Sequence, residues 1–363
     1  MSDIQERNIS KLKPTRVLIP MILGIGIIGW FLYRDFNKID FSLFSFNTAA
    51  ILFIFAAVLM IFFRDFGYVL RMRILSSNEL SWKQCIKIVF LWEFGSAITP
   101  SAIGGTALAT IFLWKEGLNV GKSTSIVLST SFLDELYFSL MFPLIFIIFS
   151  KTQLFGTVEQ SNFYGRLFYF ALIGYSAKLL WTILVGYSLF LNPRFFANIV
   201  KGIFKLRLLR KWKVGADQMA VDFEIANKEL KSKTIYFWAK SFLATFISWT
   251  SRYWVLNFLL LAMVFSLGAK DYGISIYEHF LIFARQLIMW IMMLVMPSPG
   301  GSGFVETVFT TYMSDFVPVA GFTVIIAIIW RLLTYYTYLF IGAIITPGWL
   351  NKNFKKAKII KKR

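Results

Sequence analysis

Long apolar runs are the feature of this sequence that most limits its fold. The runs from Val17 to Tyr33 and from Thr48 to Phe63 contain no Asp, Glu, Lys or Arg. A helix rises 1.5 Å per residue, so about 20 such residues cross a hydrocarbon core of about 30 Å. Backbone groups in lipid must be hydrogen-bonded within the chain, which favours helices. The sequence therefore predicts an all-α polytopic membrane protein.

Composition supports a membrane location and removes several kinds of site. The chain of 363 residues is 57% hydrophobic and 18% aromatic, with a mean hydropathy of +0.65. Cys85 is the single cysteine and His279 the single histidine. An intramolecular disulfide and a cysteine-rich metal centre are excluded, and His279 is interpreted as structural or interfacial. We predict no metal and no cofactor.

The net charge of +19 is explained by where the charges lie. The segment from Arg194 to Lys233 carries ten Lys or Arg against four Asp or Glu, and the segment from Lys352 to Arg363 carries seven basic residues and no acid. Basic loops of this kind mark the cytoplasmic side and face anionic lipid. We expect both termini inside a bacterial cytoplasmic (inner) membrane, lipid partners and no nucleic acid. A homo-oligomer stays open.

Alternating the charge rule along the chain predicts six full spans and an inner surface that holds Arg64, Arg71 and Arg73. The spans are Val17 to Tyr33, Thr48 to Phe63, Ser125 to Phe149, Leu167 to Leu191, Ile235 to Leu267 and Val319 to Ile345.

Two further apolar segments, Ile86 to Trp114 and Phe280 to Tyr312, are interrupted by proline and glycine in similar ways. The first contains "ITPSAIGGTALATIF" and the second "VMPSPGGSGFVETVF". If each crossed once, the basic loop between them would face outward, so the charges favour two re-entrant hairpins that enter from opposite sides. The expected result is one membrane domain, residues 1–363, with an inverted repeat. Its parts are repeat 1 at about 48–150, a basic linker at 192–233, repeat 2 at about 234–346 and a basic tail at 350–363.

Broken helices of this kind form ligand sites at mid-membrane in many transporters. Proline and paired glycines end a helix, and Thr or Ser caps the returning one, whose N-terminus attracts an anion. The candidate binding residues in the hairpins are Pro100, Gly104, Gly105, Thr106, Pro297, Gly300, Gly301, Ser302, Gly303 and Glu306.

Ionisable residues inside spans complete the candidate site, because they are costly in lipid and usually functional or paired. Asp134 and Glu135 match Arg331 in depth, which fits either a salt bridge or a substrate or proton site. Arg252 and Arg285 are candidates for phosphate contact, with snorkelling or aromatic stacking as the alternative for Arg252. Glu93 and Lys178 are interpreted as interfacial anchors.

With these motifs in place, the sequence resembles the lysylphosphatidylglycerol synthase transmembrane region family over roughly Arg16 to Trp349. "PSPGGSGFVE" is similar to the family's Pro-x-x-Gly-Gly-x-Gly-x-x-Glu motif and assigns its glutamate to Glu306. "TPSAIGGTALATIFLWKEG" is similar to the first motif, although its proline-to-glycine spacing is one residue longer than in the second. The soluble aminoacyltransferase domain of larger relatives is absent. The resemblance implies movement of a polar-headed lipid between leaflets.

We therefore expect a lipid flippase or transporter with no catalytic residues, since the common nucleotide-binding, zinc and triad motifs are missing. The alternative is a membrane-embedded transferase, or an accessory subunit of one, that acts on a lipid-linked sugar or amino acid with Asp134 and Glu135 as acid and base. Adjacent helical residues point about 100° apart, which disfavours that pair.

Overall fold

The computed structural model describes residues 26, 29–30, 33, 40–99, 102–155, 162–205, 213–269, 273–293, 304–319 and 321–360. Every regular element within these ranges is helical, which confirms the all-α prediction for this part of the chain. The predicted span from Val17 to Tyr33 lies almost wholly outside the described residues, as does the tip of the second predicted hairpin, residues 294–303.

The helices follow one another with short connections. In chain order they are α1 Thr48–Leu75, α2 Trp82–Ile98, α3 Ala102–Lys115, α4 Val120–Ile148, α5 Lys151–Phe155, α6 Asn162–Gly186, α7 Pro193–Ile203, α8 Lys213–Lys231, α9 Ile235–Ser266, α10 Ile276–Met293, α11 Phe304–Met313, α12 Phe322–Arg331 and α13 Thr337–Ile360. Two π-helical segments extend this pattern, one at Tyr187–Leu191 after α6 and one at Leu332–Tyr336 between α12 and α13.

Four helical stretches in the described part are long and apolar enough to cross a membrane. They are Thr48–Leu75, Val120–Ile148, Phe168–Leu191 and Phe322–Asn353, and each overlaps a predicted span. The predicted span Ile235 to Leu267 is a continuous helix of 32 residues, α9, but it is not among the four. Its buried face carries Ser241, Thr245, Ser248 and Asn257, because that face lies against the polar interior of the bundle.

Side-chain caps begin several of the helices as the sequence requires. The Asn47 side chain accepts a hydrogen bond from the Ala50 amide, and Ser81 and Gln84 form a capping box at the start of α2. The Asn119 side chain accepts from the Lys122 amide at the start of α4. Each cap satisfies an amide that the first helical turn leaves unpaired.

Helices α2 and α3 form a tight antiparallel hairpin. At its mouth the Lys87 ammonium lies 3.1 Å from a Glu116 carboxylate oxygen, and the Gln84 amide donates to the Glu116 carbonyl over 3.0 Å. A Cβ added at Gly105 would collide with Ser96, so glycine permits this close approach. The start of α2 and the end of α3 therefore lie side by side.

Polar contacts gather several helix termini at one end of the bundle, here called the linker end. Lys122, at the start of α4, forms ion pairs with Glu79 and with Glu229 of α8. The Trp349 indole of α13 donates to Glu116 at the hairpin mouth over 2.8 Å. The linker end thus joins the mouth of the α2–α3 hairpin to the basic linker, which contains the two helices α7 and α8.

A second set of contacts defines the opposite end. The Ser45 amide donates to the Ser266 carbonyl over 2.8 Å, and the Asn47 side chain donates to the Phe265 carbonyl over 2.6 Å. The start of α1 therefore meets the end of α9. Phe44 also stacks on Phe322, with ring centroids 6.2 Å apart, so α12 begins at this end as well.

Helix α1 packs along α9 at very short range. Gly67 faces this contact, and a Cβ placed there would lie 2.7 Å from the Ala244 carbonyl oxygen and closer still to Ser248 Oγ. The Ser248 hydroxyl donates to the Arg64 carbonyl over 2.9 Å. This pair of helices carries several of the charged and aromatic residues of the site described below.

Candidate functional site

A cavity of about 340 Å³ lies inside the bundle. Its wall is formed by residues of α1, α2, α3, α4, α9, α10, α12, the second π-helical segment and α13. Six charged residues are part of this wall: Arg71, Glu93, Asp134, Glu135, Arg252 and Arg331. The structure therefore brings together Asp134, Glu135, Arg252 and Arg331, four residues that the sequence marked as candidates; their binding role stays a prediction.

Asp134 is held by two helices. Arg71 Nη1 of α1 lies 2.5 Å from its Oδ1 atom, and the Trp249 indole of α9 donates to the same oxygen over 2.6 Å. Arg71 also donates to the Thr245 hydroxyl over 3.0 Å. The carboxylate charge is thus compensated in place, as a buried charge requires. The expectation that Arg71 lies at the inner surface is wrong, because α1 continues to Leu75 and buries it.

Glu135 turns to a different partner. Lys178 Nζ of α6 lies 2.6 Å from Glu135 Oε1 and also 4.7 Å from the centroid of the Phe138 ring. Lys178 is buried, so its interpretation as an interfacial anchor is wrong. The two adjacent carboxylates, Asp134 and Glu135, therefore serve ion pairs on opposite sides of α4.

Glu93 belongs to a third buried cluster. It forms an ion pair with Arg64, whose Nη1 also lies 3.4 Å from Asp65. The Tyr338 hydroxyl donates to Asp65 over 2.8 Å, and the Arg64 guanidinium lies 4.3 Å from the Tyr338 ring centroid. Arg64 is fully buried and Glu93 lines the cavity. Both had been expected near the membrane surface, and packing against α2 and α13 overrides that expectation.

Arg252 differs from the other cations of the cavity wall. Its guanidinium carbon lies 5.3 Å from the Trp249 ring centroid and 5.5 Å from that of Trp290. No carboxylate of the described residues lies within ion-pair distance of Arg252. Aromatic stacking, one alternative left open by the sequence, is therefore present, and it places the cation at the cavity wall.

Arg331 ends α12 at the same cavity and is buried. Its guanidinium carbon lies 4.2 Å from the Tyr335 ring centroid. The ion-pair partners that the structure gives to the two carboxylates opposite are Arg71 for Asp134 and Lys178 for Glu135.

The first hairpin reaches the cavity with its tip. Thr106 lines it, together with Ser96, Ala97 and Thr99 from the end of α2. Gly104 and Gly105 lie in the first turn of α3, while Pro100 lies outside the described residues.

The second hairpin is described only in its two arms. Pro297, Gly300, Gly301, Ser302 and Gly303 all lie outside the described residues, and Glu306 belongs to α11 with its side chain outside them. The arm α10 contributes Gln286, Met289 and Trp290 to the cavity wall.

Arg285 is not part of the cavity wall. It donates to the carbonyls of Tyr312 over 2.7 Å and Gln153 over 2.9 Å, and it forms a 2.7 Å ion pair with Asp315. These bonds tie α10 to the end of α11 and to α5. The sequence grouped Arg285 with Arg252 because both are arginines within apolar helices, and that signal does not separate a structural arginine from one facing a cavity.

Several neutral residues of the wall were missed by the sequence analysis. Thr130, Tyr253, Gln286 and Trp290 line the cavity, and each has a buried polar atom without a hydrogen-bond partner in the described part of the chain. Helical spacing could have found some of them: Trp249, Arg252 and Tyr253 share a face of α9. The site thus offers one stacked cation, several indole rings and unpaired donors and acceptors.

Comparison with known proteins agrees with this membrane architecture. The family model described as "Lysylphosphatidylglycerol synthase TM region" matches residues 17–342. A UPF0104 membrane protein of Archaeoglobus fulgidus is 28% identical over 305 residues, which cover 81% of this chain and 84% of that protein. No solved structure matches the chain. The chain is thus a multi-pass membrane protein that belongs to the lysylphosphatidylglycerol synthase transmembrane region family.

Proposed function

We propose that this protein is a lipid transporter that moves a phosphate-bearing lipid between the leaflets of the cytoplasmic membrane. The observation that carries the proposal is the cavity with Arg252 at its wall. Ligand sites commonly have volumes of about 300–1,000 Å³. The cavity therefore suits a lipid headgroup, while the acyl chains stay in the bilayer.

The charges around the cavity favour an anionic headgroup. Its three carboxylates are matched one by one, Glu93 with Arg64, Asp134 with Arg71 and Glu135 with Lys178. Arg252 has aromatic contacts only. A guanidinium binds two phosphate oxygens at once in a planar geometry. Arg252 is thus the group of the described wall that a phosphate would neutralise.

The proposal includes two hairpins that enter from opposite sides, within six full spans and with both termini cytoplasmic. The mouth of the α2–α3 hairpin lies at the linker end, where Glu116 contacts Lys87 and Trp349. The arms α10 and α11 are tied together by Arg285, which also bonds to α5, next to the end of α4 that lies away from the linker. This arrangement supports a midplane site that opens alternately to either side.

The same contacts speak against a transferase that uses Asp134 and Glu135 as acid and base. Each carboxylate is bound to a cation on a different helix, Arg71 of α1 and Lys178 of α6. Acid–base catalysis needs both groups within reach of one substrate. A transport function requires no such convergence, so we propose that the chain is not an enzyme.

Transport is tested with purified protein in liposomes that contain a fluorescent phospholipid, whose outer-leaflet share is bleached by an impermeant reductant. We expect wild-type protein to make the inner-leaflet probe accessible and Arg252→Gln to slow this at least tenfold. Arg194→Gln is the matched control, because Arg194 has 82% of its side chain exposed. Glu306→Gln tests the second motif in the same assay.

The proposal is wrong if wild-type protein leaves the protected fraction of every phosphate-bearing probe unchanged. The site assignment alone is wrong if transport is present and Arg252→Gln matches Arg194→Gln. Comparison of lipids from deletion and wild-type cells excludes the enzyme: loss of a transferase removes a lipid species, while loss of a transporter changes its leaflet.

A further inference from the structure

One part of the cavity wall is a compact cluster of aromatic and polar side chains from α9 and α10. Trp249, Arg252 and Tyr253 come from α9, and Gln286 and Trp290 come from α10. The rings of Trp249 and Trp290 are 5.2 Å apart, and those of Trp249 and Tyr253 are 6.1 Å apart. We call these five residues the α9–α10 wall.

The α9–α10 wall holds polar atoms that the described protein leaves unused. The Tyr253 hydroxyl, the Gln286 side-chain oxygen and the Trp290 indole N–H have no hydrogen-bond partner there, and neither does the Thr130 hydroxyl of α4. Tyr253 is 5% exposed, Gln286 4% and Thr130 2%. Buried polar groups are normally hydrogen-bonded, and unpaired ones are costly. Four such groups around one cavity indicate a ligand that both donates and accepts.

The unused groups are neutral, whereas the charges are already matched. Gln286 offers an acceptor, since its amide nitrogen already donates to the Tyr253 carbonyl over 3.0 Å. Trp290 offers a donor, while the Tyr253 and Thr130 hydroxyls can do either. A cationic amine would need an uncompensated carboxylate, and Glu93, Asp134 and Glu135 are each bound to a cation. It would also approach Arg252, a like charge.

Aromatic faces complete the pattern. Trp92 of α2 lines the cavity, and no other aromatic ring of the described residues lies against its indole. The face of an aromatic ring is electron-rich and attracts the slightly positive C–H groups of a saturated ring. A cyclic polyol has such a C–H face and also carries hydroxyl groups at its edge. Trp92 can contact the face while the α9–α10 wall bonds to the edge.

From this arrangement we propose that the transported lipid carries an uncharged, hydroxyl-rich ring, a sugar or cyclic polyol, on its phosphate. This inference rests on the proposed transport function and specifies its substrate class. Arg252 binds the phosphate, and Tyr253, Gln286, Trp290 and Thr130 bind hydroxyl groups. Lipids with a cationic headgroup are excluded by the charge balance of the cavity.

Binding of the headgroup is tested without transport, on the purified full chain in detergent. Fluorescent phosphatidylinositol is displaced by unlabelled lipids with the same acyl chains: phosphatidylinositol, phosphatidic acid, phosphatidylethanolamine and lysyl-phosphatidylglycerol. We expect phosphatidylinositol to bind at least tenfold more tightly than the two amine-bearing lipids, with phosphatidic acid between them. Equal or tighter binding of either amine-bearing lipid overturns the inference.

Tyr253→Phe separates hydroxyl recognition from folding, because the Tyr253 hydroxyl has no partner in the described structure. We expect unchanged thermal stability, about tenfold weaker binding of phosphatidylinositol and unchanged binding of phosphatidic acid. Tyr137→Phe is the control, since the Tyr137 hydroxyl lies 3.2 Å from the Thr250 hydroxyl and Tyr137 is not part of the cavity wall; it should preserve the headgroup preference. Equal loss for both lipids in Tyr253→Phe contradicts the inference.

The two proposals fail in different ways. Selective binding of phosphatidylinositol without any movement between leaflets contradicts the transport function and leaves the headgroup class standing. Movement of lipids with no preference for a hydroxylated headgroup contradicts the headgroup class and leaves transport standing.

Discussion

Arg71 and Asp134 meet between α1 and α4, with guanidinium Nη1 2.5 Å from carboxylate Oδ1. The pair stands at the cavity wall and is shared with Trp249, which donates to the same carboxylate. A charge at the edge of the site is therefore fixed by three helices before any ligand arrives.

Removing one member of this pair should cost more than removing both. Arg71→Gln leaves a largely buried carboxylate without its cation, and we expect the free energy of unfolding to fall by about 3 kcal/mol. The double variant Arg71→Gln/Asp134→Asn should recover more than half of that loss, since no unpaired charge remains. Thermal unfolding of the purified proteins in detergent measures both. Additive losses would show that the two residues do not stabilise the fold as a pair.

Opposed hairpins predict labelling from opposite sides of the membrane. Lys83 lies at the start of α2 and Ser314 follows α11, and both are exposed. In a Cys85→Ala background, Lys83→Cys should react with an impermeant maleimide from the same side as Glu229→Cys, and Ser314→Cys from the other side. Intact cells and inverted vesicles provide the two sides. Labelling of Lys83→Cys and Ser314→Cys from one side would exclude the opposed arrangement.

The contact between α1 and α9 depends on the absence of a side chain at Gly67. Gly67→Ala places a methyl group against the Ala244 carbonyl and Ser248, and we expect a loss of about 1–3 kcal/mol of unfolding free energy. Gly202→Ala in α7 is the control, because no atom lies within 4 Å of its added Cβ. The control should be neutral or more stable by up to about 1 kcal/mol. Equal melting temperatures for the two variants would contradict the close packing.

Acid should loosen the docking of α8 on α4. Burial raises the pKa of Glu229, but hydrogen bonds and ion pairs with Lys122 and Lys233 outweigh it and lower the pKa below its ordinary value of 4.5. A lowered pKa stabilises docking above the ordinary pKa, and that stabilisation is lost as pH falls through the lowered value. Hydrogen exchange of α8, corrected for intrinsic rates, should therefore rise on acidification. Glu229→Gln should remove this dependence, and an unchanged dependence would assign it to another group.

Much of this fold follows from local chemistry. The apolar runs predict helices α1, α4 and α6, and Pro100 with its flanking glycines predicts the break between α2 and α3. Asp134, Glu135, Arg252 and Arg331 were recognised as site candidates because an ionisable residue inside a span is costly, and all four line one cavity.

Partners could not be derived in the same way. Arg64 and Arg71 follow an apolar run and look like residues of a membrane surface, yet α1 continues past both and buries them. Which cation pairs with which acid depends on helix packing, which local sequence does not encode. The same limit explains why Arg252 and Arg285 looked equivalent, although the second joins helices outside the cavity.

The π-helical segment Leu332–Tyr336 has a consequence for how this protein tolerates insertion and deletion. A wide turn of this kind holds one residue more than an ordinary helical turn. It separates Arg331 from Tyr338, which bonds to Asp65, and from Trp349, which bonds to Glu116. Deleting one of its five residues would restore a regular helix and rotate everything beyond it by about 100°. Both bonds would then be lost while Arg331 kept its place, so the reading frame of this helix is set by one extra residue.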